Sequence, residues 1–340
     1  MAAINAGNKG LHNLGNTCYM NSALQCLIHL PQLNPRKNSI FKSDLDKSTK
    51  KEYKLLKQWI QLYKEMWYEE NESVINTKDF IITFIKRCEE ENIYFDVFNQ
   101  NDVSEFLNGF INILHEEICR SVTITPNGSP RNSFDKLQVK SIETWNRFFN
   151  KKYSFIIKDF HGQLVNLTSC PSCNYFTTNF DPLLIISLDV NSKTNSIHES
   201  LEKYCEPFTL DDDNLWTCDK CSEKVKCVKK NNFWKLPDIL VILIKQYNDN
   251  AKKLDNFIEY PNKLNMESYC LNYINDNMNY NLHSICIHSG SLRGGHYYAY
   301  CKNLNDKKWR KYNDSHVSEP VTQKEVLSQR PYCLFYTRNK

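Results

Sequence analysis

Cys18 lies in the run Gly15-Asn16-Thr17-Cys18-Tyr19-Met20-Asn21-Ser22, where a Gly-Asn turn gives way to an apolar, helix-like segment. At a helix N-terminus the unpaired backbone N–H groups and the helix dipole favour a negative charge. A thiol placed there is expected to lose its proton more readily and to be the better nucleophile for it. Free cysteines are commonly buried structural residues, and position alone leaves both readings open.

A thiol nucleophile needs an imidazole to take its proton and a group that orients the imidazole. Among nine histidines, His296 is the candidate base, because it follows Gly294-Gly295 and opens the strand-like Tyr297-Tyr298-Ala299-Tyr300. Glycines beside the base allow the close backbone approach that a bound peptide tail requires. Asn313 and Asp314, in Trp309-Arg310-Lys311-Tyr312-Asn313-Asp314-Ser315, are the candidate orienting groups. On spacing alone, a surface histidine on a hairpin and an ordinary Asn-Asp turn remain the alternative.

Two further clusters carry chemistry. Cys170-Pro171-Ser172-Cys173 and Cys218-Asp219-Lys220-Cys221 are Cys-x-x-Cys knuckles, and two such knuckles can place four thiolates tetrahedrally around zinc. The stretch between them is longer than in a simple zinc ribbon, so paired hairpins must bring them together. Four thiolates leave no open coordination position, which makes such a zinc structural. A redox pair or unrelated core cysteines are the alternatives. In Gln100-Asn101-Asp102-Val103-Ser104-Glu105-Phe106 the spacing of Asp102 and Glu105 fits a capping box at a helix start.

The elements that must position these residues change character along the chain. Helices are expected over 17–30, closed by Pro31, and over 53–67, 77–90 and 102–119. The segment 125–130, with two prolines and a glycine, reads as a loop and a boundary. After about residue 150 the pattern turns to strands, at 153–157, 163–168, 183–189, 239–245, 281–288, 296–302 and 332–337, with a short helix at 198–204. Helices followed by antiparallel strands make an α+β fold.

The 340 residues are 41% hydrophobic and 13% aromatic, which is a globular composition. A net charge of +4 does not support nucleic-acid binding. No apolar run is long enough to span a bilayer, and no secretory h-region opens the chain. With fourteen cysteines and no secretory signal, a reducing cytoplasmic or nuclear compartment is expected.

Taken together these motifs resemble those of the ubiquitin-specific proteases, papain-like deubiquitinating cysteine proteases. Gly10 to Leu27 is similar to the family's cysteine box, Gly294 to Tyr300 to its histidine box, and Tyr312-Asn313-Asp314-Ser315 to the segment with its third catalytic residue. Gln100 to Leu107 resembles its Gln-Gln-Asp-x-x-Glu-Phe box, with Asn101 in place of the second Gln. The resemblance implies one catalytic domain over 8–338, shaped as a right hand: a helical thumb over about 10–145, fingers and part of the palm over about 150–245, and palm over about 246–338. It implies Cys18 as nucleophile, His296 as base, Asn313 as its orienting residue with Asp314 as the rival, and Asn13 as an oxyanion donor. Gln100, Asp102, Gly294, Gly295 and Tyr297 would bind the ubiquitin tail, and 288–293 would form a loop closing over it. Cys170, Cys173, Cys218 and Cys221 would hold structural Zn2+. The implied partners are ubiquitin and ubiquitinated proteins, with neither nucleic acid nor membrane, and the chain is expected to be a monomer. The motifs reach nearly both ends, leaving no room for an added domain. A catalytically weak ubiquitin-binding scaffold, a protease for another ubiquitin-like modifier, and a zinc-dependent nucleic-acid binder are the competing functions. The last leaves the Cys18 and His296 boxes unexplained.

Overall fold

The computed structural model describes residues 6–35, 53–70, 73–96, 99, 101–247, 253–254, 256–271, 277–291 and 294–339. Among the described residues five helices lead: α1 (Cys18–Ile28), α2 (Lys54–Trp67), α3 (Lys78–Glu90), α4 (Val103–Ile118) and α5 (Ser133–Phe148). In α2 the buried Leu55, Leu56, Trp59, Leu62, Tyr63, Met66 and Trp67 recur at helical spacing and form one apolar face. That face packs on α3 and α4, where Trp59, Phe84, Phe106 and Phe110 meet with ring centroids 5.1–5.7 Å apart. All eleven residues of α1 are buried. It is wedged between α4 and the sheet strands that follow.

The strands are β1 (Gly10–Leu11), β2 (Val74–Ile75), β3 (Arg120–Ser121), β4 (Lys152–Tyr153), β5 (Gly162–Ser169), β6 (Phe176–Leu183), β7 (Ile185–Asp189), β8 (Phe208–Thr209), β9 (Trp216–Thr217), β10 (Lys224–Val225), β11 (Val228–Lys235), β12 (Ile239–Lys245), β13 (Lys263–Asn265), β14 (Asn279–Ser291), β15 (Gly294–Lys302), β16 (Trp309–Asn313), β17 (His316–Val317) and β18 (Pro331–Arg338). The main sheet has the order β17-β16-β15-β14-β18-β12-β7, with β13 beside β14. It is antiparallel except for the β12–β7 pair. A second sheet, β6-β5-β11-β8, leads away towards the small hairpin β9–β10.

The main sheet is covered on both faces, which is why β12 reads as an unbroken apolar run. Ile239, Val241 and Leu243 join the core shared with the helices, whereas Leu240, Ile242 and Ile244 join a second core on the other face. The period of two along a strand divides them.

Two segments differ from the expected pattern. The strand expected at 153–157 is only β4 at its start. Ser154 then takes an extended conformation and Phe155–Phe160 forms a short helix with Phe155, Ile156, Ile157 and Phe160 buried, an outcome that a short apolar run does not distinguish from a strand. The region after the 125–130 loop is not open chain, since α5 starts at an Asn132 side chain that accepts from the Asp135 N–H. The capping box at α4 forms in its Asp102 half, with Asp102 Oδ1 accepting from the Ser104 N–H at 2.7 Å. Among the described residues no helix is long and apolar enough to cross a membrane.

One buried contact joins three helices. Glu117 on α4 accepts from the Leu55 N–H at 3.0 Å, the Leu56 N–H at 2.8 Å and Arg87 Nε at 3.1 Å. It thereby serves the open N-terminus of α2, where Tyr53 makes no side-chain cap. Removing it leaves a buried guanidinium without this partner and two helix N–H groups unmet. Glu117→Ala is expected to lower unfolding free energy by about 3–5 kcal/mol in urea titrations. A loss below about 1 kcal/mol would show that the cap is not needed.

Candidate active site

The turn before the nucleophile is built on one side chain. Asn13 Oδ1 accepts from the Gly15 N–H at 3.0 Å, the Thr17 N–H at 3.3 Å and Thr17 Oγ1 at 3.2 Å. Asn16 completes the turn in the left-handed region at φ 55°, which Asn tolerates. Cys18 follows as the first residue of α1 and is 5% exposed. With the Asn13 carbonyl committed to the turn, its Nδ2 points to Asp314 and donates to Oδ2 at 2.9 Å. The amide has a second N–H to offer.

His296 stands near the start of β15, against which α1 packs. Its Nε2 lies 2.5 Å from Asn313 Oδ1, on the neighbouring β16, and 3.9 Å from Asp314 Oδ2. A carbonyl oxygen can only accept, so Nε2 carries the proton in this contact and Nδ1 is left free to act as a base. Asp314 follows in a left-handed turn at φ 48°. Its carbonyl accepts from the Leu11 N–H at 2.8 Å. Here Gly10 is required, because a Cβ would collide with the Ser315 backbone. The structure thus brings Cys18, Asn13, His296, Asn313 and Asp314 to one junction of α1, β1, β15 and β16.

The expectation that the helix N-terminus leaves Cys18 acidified is corrected. Burial pushes its thiol above the ordinary value. A backbone hydrogen bond at Tyr297 opposes this, the nearby Asp314 carboxylate adds to it, and further backbone bonds at Tyr19 and Cys18 oppose it. Desolvation outweighs the backbone hydrogen bonds of the helix end, so the fold raises the thiol's pKa instead of lowering it.

The other expected binding residues divide. Asp102 lies between the helices and the sheet, where Oδ1 caps α4 and Oδ2 accepts from the Tyr332 hydroxyl of β18. Tyr297 is half-buried, its ring 4.6 Å from His288 and 5.6 Å from Tyr332. Burial and the nearby Lys253 cation depress the His288 pKa to about 4, so this aromatic wall is neutral. A side chain at Gly295 would strike the His288 ring, whereas Gly294 faces open space. Gln100, Leu292 and Arg293 lie outside the described residues. Tyr332 and Asn21 were not singled out from sequence. Helical spacing puts Asn21 one turn from Cys18, which is the signal that could have marked it.

Away from this junction, Cys170, Cys173, Cys218 and Cys221 have their sulfurs within 4.8 Å of one another. The Cys170–Cys221 and Cys173–Cys218 distances are 3.8 and 3.6 Å. Ligands at about 2.3 Å from a tetrahedral ion stand roughly 3.8 Å apart, so the four thiols fit a metal ion. The knuckles share one geometry. In each, the first cysteine accepts a backbone hydrogen bond from the residue four on (Asn174, Ser222), and both of those residues are left-handed, at φ 56° and 59°.

The raised Cys18 pKa sets the behaviour of the free thiol. Alkylation of Cys18 by iodoacetamide is expected to keep accelerating as pH rises past 8.5, the ordinary cysteine value, with no plateau near 7. Asp314→Asn removes the neighbouring negative charge and should speed alkylation at pH 7.5. A plateau near 7, read by mass spectrometry of the labelled peptide, would contradict the assignment.

Comparison with known proteins bears on the family and the fold. The family model described as ubiquitin carboxyl-terminal hydrolase matches residues 9–336. The chain is 33% identical over 338 residues to ubiquitin carboxyl-terminal hydrolase Usp2 of Drosophila melanogaster, covering 97% of this chain and 34% of that protein. It is 31% identical over 340 residues to ubiquitin carboxyl-terminal hydrolase 2 of Homo sapiens, covering 97% and 55%. It therefore spans between a third and just over half of these relatives. Among solved structures, the SAGA DUB module of Ubp8, Sgf11, Sus1 and Sgf73 bound to monoubiquitin contains a chain that superposes with TM-score 0.76 at 28% identity, covering 100% of this chain and 71% of that one. The same module bound to ubiquitin aldehyde gives 0.73 at 28%, covering 100% and 72%. By its sequence and by its fold, the chain belongs to the ubiquitin carboxyl-terminal hydrolase family.

Proposed function

We propose that residues 8–338 work as one catalytic unit that hydrolyses the bond between the C-terminal glycine of ubiquitin and a substrate amine. The observation that carries this reading is the His296–Asn313 contact at 2.5 Å beside the helix that begins at Cys18, in a chain whose structural relatives are bound to monoubiquitin and ubiquitin aldehyde. Helices α1 to α4 take the part of the thumb, the main sheet the palm, and the β6-β5-β11-β8 sheet with its cysteine knuckles the fingers.

In the reaction His296 takes the Cys18 proton and the thiolate attacks the glycine carbonyl. The tetrahedral oxyanion is met by the Cys18 backbone N–H and the second N–H of Asn13, a donor of the kind worth roughly 3–4 kcal/mol in the transition state. Collapse expels the amine, which receives the proton from His296. Water, deprotonated by His296, then hydrolyses the thioester and restores the thiol. Because burial raises the Cys18 pKa, the histidine's help in removing the proton matters more than the helix end. Asn313 orients His296, as its 2.5 Å contact against 3.9 Å for Asp314 supports.

The tail would pass between thumb and palm, beside Asp102, Tyr297 and the Gly294–Gly295 edge. An acidic Asp102 suits a basic tail, and a glycine edge suits the two glycines that end it. Zinc in the four-cysteine site would bind the two knuckles into one tip. The free thiols throughout, none in a disulfide, suit a reducing compartment.

Cys18→Ala should abolish cleavage of a ubiquitin–fluorophore conjugate, and undiminished turnover would reject the reading. Asn313→Ala should lower kcat by about a hundredfold. If it retains full rate while Asp314→Ala is dead, the orienting roles are reversed. For the fingers, mass spectrometry should find about one zinc per chain. Cys218→Ser should lose it with a fall in Tm. A metal-free wild-type protein of equal Tm would count against the zinc site.

A further inference from the structure

We infer that Asn21 is a positioning residue for the chemistry at Cys18: it holds Asp314 so that the amide of Asn13 faces the oxyanion. This rests on the reaction proposed above. Asn21 is 2% exposed and lies in the first turn of α1, its backbone N–H donating to Thr17. Its Nδ2 donates to Asp314 Oδ1 at 2.8 Å and to the His12 carbonyl at 3.2 Å. The other Asp314 oxygen accepts from Asn13 Nδ2 at 2.9 Å. One carboxylate is therefore shared by two amides, one from the nucleophile's helix and one from the turn that precedes it.

The other contacts of this carboxylate show what the sharing accomplishes. His296 Nε2 lies 3.9 Å from the same Oδ2 that Asn13 uses. A protonated His296 would attract Asp314, and that attraction competes with Asn13 for the oxygen. The Asn21 bond to Oδ1 holds the carboxylate in the rotamer that serves Asn13, and its bond to the His12 carbonyl fixes the backbone next to Asn13. Among the described residues the buried Asn21 Oδ1 finds no hydrogen-bond partner. A buried amide that uses only its donors is a costly choice for packing alone, so the donors account for its presence. Asn313 orients the base, and Asn21 acting through Asp314 orients the oxyanion donor.

A double-mutant cycle on ubiquitin–fluorophore hydrolysis tests this. Asn21→Ala should lower kcat at least tenfold, with KM within twofold of wild type. In an Asn13→Ala background it should cost less than twofold more, because both changes remove one device. A wild-type kcat, or losses that multiply in the double variant, would overturn the inference. Asn21→Asp keeps the shape but sets two carboxyls against each other. They can hydrogen-bond only while sharing a proton, so the ratio of its kcat to that of wild type should fall as pH rises from 5.5 to 8. A ratio flat with pH overturns the inference even if Asn21→Ala does not fold. Absence of any wild-type turnover would reject the parent reaction and this inference together, whereas wild-type turnover with a flat ratio rejects this inference alone.

Discussion

The burial of α1 is the constraint on which the site depends. A helix enclosed along its whole length has no freedom to slide or rotate without opening cavities on one side and overlaps on the other. Its N-terminal residue is therefore placed by the packing of Leu24, Leu27 and Ile28 in a core that also contains Cys286, Ala299 and Tyr312 from the sheet. Those strands place His296 and Asn313. Cys18 and His296 lie far apart in the chain, and a shared apolar core sets the distance between them.

The electrostatics follow from the same burial. A half-charge at a helix end does not offset removal of a thiolate from water, so enclosure raises the Cys18 pKa. The His296 imidazole meets the Asn313 carbonyl, and the Asn13 amide meets the Asp314 carboxylate. Polar side chains in this region are shared between elements. Asn13 builds a turn with one end and contacts Asp314 with the other. Asp102 caps a helix with one oxygen and meets Tyr332 with the other. Each such group joins the helical layer to the sheet and fixes a reactive or substrate-facing position at once.

Much of this was legible in the amino-acid sequence, for reasons that differ by element. The helices with broad apolar faces, such as Lys54–Trp67, and the strands with continuous apolar runs, such as Ile239–Lys245, announced themselves by period. Helix Ser133–Phe148 did not, because only Ser141 and Trp145 are buried along it and so thin a stripe gives little periodic signal. Strands Phe176–Leu183 and Val228–Lys235 were also missed. Their stretches Thr177-Thr178-Asn179 and Lys229-Lys230-Asn231-Asn232 are polar, and it is pairing with Gly162–Ser169 that makes them strands. The candidate site residues were named from the family resemblance together with the residue types that thiol chemistry restricts. The direction of the Cys18 pKa was not, because it depends on desolvation, which position along the chain does not report. The shared carboxylate of Asp314 was hidden for a related reason, as its two amide partners lie some three hundred residues away in the chain.

The separation of base and nucleophile also orders events at the ribosome. Cys18 is made well before His296 and Asn313, which sit on adjacent antiparallel strands joined by a short connection and are made together. At about 5–20 residues per second, tens of seconds pass between the synthesis of Cys18 and that of His296. Helix α1 needs β14 and β15 to bury its second face, so until they arrive it must remain exposed or be shielded by other means. A nascent chain therefore carries Cys18 before the strand that bears His296 exists, and the two meet only once β15 packs on α1.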